Sequence, residues 1–216
     1  MESIIISNPK NFKELKDIFK KGGLDKIHIV ADFDRTLIRA FYLPASATPK
    51  ALRAGKKESV PSILSILYNE NYLTRDYGSK ARALEAKYKI IETDPNIKKQ
   101  EKETSIQRWW QEHFDLLIKS KLNKKDAEKI INSPKISFRD GFNNFANLLK
   151  EKNIPLTIVS ASGLGEDITG IILKRDKKLL NNTYIISNSF NWDEKGYAIS
   201  VKEPIITSIN KNELRV

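Results

Sequence analysis

The chain has 216 residues and no cysteine, with 40 % hydrophobic and 30 % charged residues and a formal net charge of +11. That length buries a sizeable core, as one domain or as a core with an insertion, and the composition sets aside the disordered classes. Disulfide and thiolate chemistry are excluded, and no apolar run approaches the ~20 residues that a membrane span requires. The opening MESIIISNPK carries an acid at position 2 and only a short apolar run, so a secretory signal is not expected and a cytoplasmic location is. Lys and Arg are interleaved with acids, as in KKQEKETS and NKKDAEKI. This is how solvated helix faces read, and it argues against a nucleic-acid groove while leaving a positive field that draws in phosphate esters.

In chain order, NPKNFKELKDIFKKGG predicts an amphipathic helix with Phe12, Leu15, Ile18 and Phe19 on one face and Gly22-Gly23 as its stop. Ile27 to Phe33 is a continuous β-branched run, expected where both faces of a parallel strand are covered. Residues 41–135 then read as helices with little strand signal: SVPSILSILYNENY, TRDYGSKARALEAKYK, IKKQEKETSIQRWWQEHFDLLIKS and NKKDAEKIIN. From Ser137 the alternation resumes. RDGFNNFANLLKEKN predicts a helix with Phe142, Phe145 and Leu149 inward, IPLTIVSAS a strand, GEDITGIILKRD a helix and TYIISNSF a strand; YAISVK pairs in a hairpin across DEKG. The expected architecture is an α/β core with a parallel sheet (residues 1–40 and 136–216) and a helical cap inserted after the first strand (41–135).

Ligands in such sheets sit beyond the carboxyl ends of the strands, where Asp32, Asp34 and the Ser160–Gly163 turn all fall. Residues two apart on an extended segment face the same side, so the two carboxylates converge. Carboxylates paired at a sheet mouth call for a cation, and Mg²⁺ is typically held by one or two of them with waters and substrate phosphate oxygens. One carboxylate then serves as nucleophile in forming an acyl-phosphate, and the second exchanges a proton with the leaving group and water. The alternative is a strand-terminal Asp that caps a turn, which needs one Asp rather than two. VSASGLGED supplies either an anion-binding loop at Ser160 or an ordinary Ser N-cap.

IVADFDRTL resembles motif I (hhhhDxDxT) of the haloacid dehalogenase (HAD) phosphohydrolase superfamily, and TIVSAS resembles its motif II. The chain is most similar to the cytosolic pyrimidine 5′-nucleotidase (type III) family, through KGGLDKIHIVADFDRTL, KYKIIETDP, RDGFNNFANLLKEKNIPLTIVSAS, IISNSFNWDEKGY and SINKNE. The loop Phe41 to Ser59 has no counterpart that can be placed. The resemblance implies a HAD-like Rossmannoid fold and a Mg²⁺-dependent 5′-nucleotidase acting on nucleoside monophosphates. It makes Asp32 the phosphorylated nucleophile and Asp34 the general acid/base, with Mg²⁺ on the Asp32 carboxylate and the Asp34 main-chain carbonyl. Thr36 braces motif I. Ser160, with Ala161 and Ser162 beside it, holds the phosphoryl group, Ser162 standing where the family has Gly. Lys211 offsets the charge on nucleophile and phosphate. In the cap, Glu92 and Trp110 take the places of base-recognising residues.

Other readings of these cap residues stay open. Trp109 and Trp110 follow helical spacing with Ile106, His113, Phe114 and Leu117, so either tryptophan is cap core or stacks on a base. Glu92 is a base ligand or a solvated residue ahead of Asp94-Pro95, and His28 and His113 read as structural. The resemblance also implies a fourth motif, G-D-x-x-x-D, but the sequence ends five residues after Lys211. Without that motif's strand the sheet is expected to leave an open edge for a second copy or a second chain. A non-catalytic nucleotide-binding or assembly protein of the same fold is the alternative to an enzyme.

Overall fold

Proline in the first turn, a side-chain cap at Asn8 and two lysines in the last turn specify the first helix, α1 (Pro9–Gly22). The Asn8 side chain accepts from the Asn11 backbone N–H at 3.1 Å. The computed structural model describes residues 5–42, 58–70, 72–133, 135–175 and 181–211. The predicted apolar face of α1 is present, yet no residue of the helix is buried.

A parallel three-stranded sheet in the order β1-β4-β5 forms the core. It consists of β1 (Ile29–Ala31), β4 (Leu156–Ser160) and β5 (Thr183–Ser187). Ala31 pairs with Ile158 and Ser160 with Ser187. The expected strand Ile27–Phe33 is thus three residues long, because the chain leaves the sheet at Asp32. It enters a wide turn over Phe33–Leu37, closed by the Ile38 N–H donating to the Phe33 carbonyl at 3.2 Å. Arg35 adopts φ 60° within it, and Arg139 Nη2 donates to the Arg35 carbonyl at 2.6 Å.

Among the described residues, the turn is followed by a two-residue antiparallel ladder that the sequence did not announce, β2 (Phe41–Tyr42) with β3 (Glu58–Ser59), and by four helices. These are α2 (Ile63–Asn69), α3 (Tyr77–Thr93), α4 (Lys99–Lys119) and α5 (Lys124–Ile131). Most of the loop from Phe41 to Ser59, residues 43–57, lies outside the described residues. α6 (Phe142–Glu151) and α7 (Gly165–Arg175) flank β4 in sequence, and β6 (Phe190–Trp192) and β7 (Ala198–Val201) form the expected hairpin. The segment TYIISNSF, expected as one strand, divides into β5 and β6 around buried Asn188 and Ser189. Buried amide and hydroxyl groups need partners that a sheet ladder does not supply, so the chain bends to reach them.

One apolar cluster joins sheet and helices: Leu156 and Ile158 of β4 and Ile168 and Ile172 of α7 pack with Leu67 of α2 and Phe114 of α4. Phe114 meets Phe190 of β6 edge-on, with ring centroids 5.6 Å apart. Truncating such a side chain to Ala typically costs about 2–5 kcal/mol. The helices are therefore held firmly over the carboxyl edge of the sheet.

Candidate active site

β1 and β4 run parallel, so their carboxyl ends open on the same edge. Asp32 follows β1, Asp34 lies in the turn beyond it, and Ser160 closes β4. Phe33 between the two aspartates is fully buried and anchors the turn. Lys211 arrives from 179 residues away, and its Nζ donates to Asp32 Oδ1 at 2.9 Å. A turn positions this lysine: its N–H donates to the Thr207 carbonyl at 3.0 Å, while Asn210 Oδ1 accepts from the Thr207 N–H at 2.7 Å. With Ala161, Ser162, Ser62, Leu64, Trp109 and Trp110 these groups line a cleft of about 240 Å³.

The two carboxylates sit in unequal environments. Burial, and secondarily the Asp32 charge, push the Asp34 carboxyl up to about 6, against the lowering influence of Arg35 and Lys211. Asp34 Oδ1 is buried with no hydrogen-bond partner. Asp32 is ion-paired to Lys211.

The loop after β4 is braced from β5 and the segment that follows it. Ser160 Oγ accepts from the Ser162 N–H at 3.2 Å, within the loop, and Ser187 Oγ donates to the Ser160 carbonyl at 2.6 Å. Asn188 Nδ2 donates to the carbonyls of Ser162 (3.3 Å) and Ile206 (2.8 Å), and Asn188 Oδ1 accepts from the Ile206 N–H at 2.8 Å. Two glycines permit the close approach. A Cβ on Gly165 would stand 1.8 Å from Ser187 Oγ, and one on Gly163 would stand 3.2 Å from the Trp110 ring.

Of the residues singled out in the sequence, Asp32, Asp34, Trp110, Ser160, Ala161, Ser162 and Lys211 meet in the cleft. Thr36 is exposed and does not line it. Glu92 is exposed at the end of α3 and lines a separate recess of about 40 Å³ with Glu85, Tyr88, Lys89, Ile106 and Trp109. Trp109 lines both spaces, whereas Trp110 is buried and stacks on Phe114 at 5.4 Å. Trp110 is thus core as well as cleft wall. Trp109, with a buried Nε1 that has no partner, is the freer face of the pair. His113 is a buried core residue as expected: its Nε2 lies 3.1 Å from Tyr77 Oη, and burial pushes its imidazole down to about 4.

Sequence reasoning missed Ser62, Leu64, Ser187 and Asn188. Ser62 had a signal, since Ser followed by an apolar run marks an N-cap, and its Oγ accepts from the Ser65 N–H at 3.2 Å. The cleft offers oxygen donors and a lysine. Among the described residues no group of three or more His, Cys, Asp or Glu gathers as a metal cage. A cleft lined by carboxylate and hydroxyl oxygens with no His or Cys fits Mg²⁺, which keeps waters and takes substrate oxygens, better than zinc.

Comparison with known proteins places the chain among nucleotidases. The family model described as pyrimidine 5′-nucleotidase (UMPH-1) matches residues 49–216. The human 7-methylguanosine phosphate-specific 5′-nucleotidase is 30 % identical over 210 residues, which cover 97 % of this chain and 65 % of that protein. The corresponding B protein of Xenopus laevis is 27 % identical over 211 residues, 98 % of this chain and 68 % of its own. The crystal structure of cytosolic 5′-nucleotidase IIIB bound to cytidine shares the fold, with a TM-score of 0.70 at 22 % identity, over 95 % of this chain and 63 % of that one. This chain therefore spans about two thirds of the length of these relatives. Among the described residues no helix is long and apolar enough to cross a membrane.

Proposed function

Because the chain belongs to the pyrimidine 5′-nucleotidase (UMPH-1) family, we propose that it is a cytoplasmic phosphomonoesterase that removes the 5′-phosphate of nucleoside monophosphates. The observation that carries this reading is the placement of Lys211 on Asp32 at 2.9 Å, in one cleft with the Asp34 carboxyl, which burial pushes up to about 6. Lys211 and Ser160 take the phosphoryl oxygens. An Asp32 oxygen attacks phosphorus, the bond from phosphorus to the ester oxygen breaks, and protonated Asp34 gives its proton to the departing 5′-oxygen. Water then attacks the aspartyl phosphate, passes a proton back to Asp34, and frees Asp32 and inorganic phosphate. A carboxyl near 6 is suited to both directions of transfer at neutral pH.

Mg²⁺ would be held by the Asp32 carboxylate and the Asp34 main-chain carbonyl, and would supply charge compensation between phosphate and nucleophile. The helical segment 41–135 serves as a cap over the core of residues 1–40 and 136–216. Trp109 offers its face to the base, with Trp110 behind it and Glu92 and Glu85 at the far side. This arrangement suits stacking of any base and favours one that carries hydrogen-bond donors or a positive charge. The test is phosphate release from a panel of cytidine, uridine and 7-methylguanosine monophosphates, with and without Mg²⁺. Turnover should require the metal and disappear in Asp32→Asn. Nucleotide binding without turnover in the unaltered protein would instead mark a non-catalytic member of the family.

A further inference from the structure

The cleft and the recess beside it are joined by a file of side chains that the hydrolytic steps do not use. Ser62 caps α2, and Ser65 and Tyr68 follow at intervals of three, so the three hydroxyls share one face. Ser62 Oγ lies 2.7 Å from Ser65 Oγ, and Ser65 Oγ lies 2.8 Å from Tyr68 Oη. Tyr68 Oη in turn donates to Glu85 Oε2 of α3 at 2.8 Å. Ser62 lines the cleft with Asp32 and Asp34, Glu85 lines the recess with Glu92, and Trp109 lines both. The carboxylate at one end fixes the sense of every bond, since each hydroxyl has one proton to give. Tyr68 spends its proton on Glu85, so Ser65 gives its own to Tyr68 and Ser62 gives its own to Ser65. Burial holds the Tyr68 hydroxyl above its ordinary range, which keeps that proton in place. Ser62 Oγ also accepts from the Ser65 N–H at 3.2 Å. It therefore reaches the cleft with its proton committed and one acceptor position left.

We propose that Ser62 accepts a hydrogen bond from a ribose hydroxyl, and that Glu85, acting through Tyr68 and Ser65, makes the cleft select ribonucleotides over their deoxy counterparts. Ser62 is the contact; the other three are positioning residues. The choice of ligand rests on the nucleotidase reading, whereas the polarity of Ser62 follows from the relay. Phosphate oxygens are acceptors and find no donor in a Ser62 whose proton is already given to Ser65. The sugar stands between phosphate and base in a nucleoside monophosphate, and its hydroxyls are donors carried into a cleft that Ser160 and Trp109 both line. Hydroxyls bonded in one sense polarise each other, so the acceptor at Ser62 is stronger than that of an isolated serine.

Titration calorimetry on the full chain carrying Asp32→Asn, with Mg²⁺ present, measures binding without turnover. The ligands are uridine 5′-monophosphate and its 2′-deoxy and 3′-deoxy forms. Loss of the hydroxyl that Ser62 accepts should weaken binding by about tenfold, and the two deoxy forms tell which hydroxyl it is. Ser62→Ala should abolish the difference and Ser62→Thr should keep it. Tyr68→Phe and Glu85→Gln leave Ser62 in place, yet each should also abolish it. The first cuts the relay, and the second puts a donor at its end, so the Ser62 proton is free to turn into the cleft. A merely structural role for these residues would weaken all the nucleotides together and leave their ratio unchanged. The proposal is overturned if the nucleotides bind alike in the unaltered relay, absence of binding included. It is also overturned if Tyr68→Phe and Glu85→Gln retain the ratio, which would make Ser62 a contact without a relay. Ribose preference in binding, with no phosphate release from the protein that keeps Asp32, would sink the hydrolytic reading and leave this one standing.

Discussion

Replacing Asp34 with Asn separates the burial of a charge from the burial of an amide. The Asp34 carboxyl is raised from 3.8 to about 6. At about 1.4 kcal/mol per pH unit, ionising it in place costs roughly 3 kcal/mol. Between those two values the native protein holds a proton that the unfolded chain has released, so this group's contribution to stability falls as pH rises through the window. In metal-free buffer the Asn variant should match the unaltered protein near pH 4 and exceed it by up to about 3 kcal/mol at pH 7. Urea unfolding from pH 3.5 to 8 in the presence of a chelator measures that difference. His113 contributes the opposite slope: its depressed imidazole destabilises the fold as pH falls from 6.5 towards about 4. That slope is common to both proteins and cancels in the comparison. Adding Mg²⁺ should shrink the gap, because a cation favours ionised Asp34 and not its amide. A stability difference that is flat with pH would refute the account of Asp34 as a desolvated carboxyl.

Lys211→Met should lower turnover by about 10²-fold through loss of charge compensation. Its melting point should barely change, because the Lys211–Asp32 pair is about one-third exposed on both sides and such pairs add under ~1 kcal/mol. Gly165→Ala drives a Cβ into Ser187, and should cost about 3 kcal/mol in denaturant unfolding, with Ser187→Gly recovering part of it. Trp110→Ala should destabilise by about 3–5 kcal/mol, since the ring is buried on Phe114. Trp109→Ala should cost less stability and act on KM for nucleotides while sparing hydrolysis of a small aryl phosphate. Equal effects of the two tryptophans on both readouts would contradict the division of labour.

The local rules of the chain account for most of the fold. The cap at Asn8 with Pro9, the β-branched runs of β1 and β4, and the DEKG turn of the β6–β7 hairpin are all short-range signals that survive into the structure. Short-range signals failed where long-range demands overrode them. Ile27–Phe33 reads as one strand, yet the turn that aims Asp34 into the cleft ends it at Ala31. TYIISNSF reads as one strand, yet Asn188 leaves the ladder to bind the carbonyls of Ser162 and Ile206. The partners of a buried amide are not written next to it in the sequence.

By itself the sequence determined which groups are present: an aspartate pair, a hydroxyl-rich loop and a distant lysine, of types and spacing that suit a phosphate and a hard cation. Tertiary structure alone decided their surroundings. Burial, not composition, sets Asp34 near 6, and packing on Phe114 makes Trp110 a wall and leaves Trp109 the open face. Residue identity is local, whereas desolvation, stacking and strand neighbours depend on what the rest of the chain brings alongside.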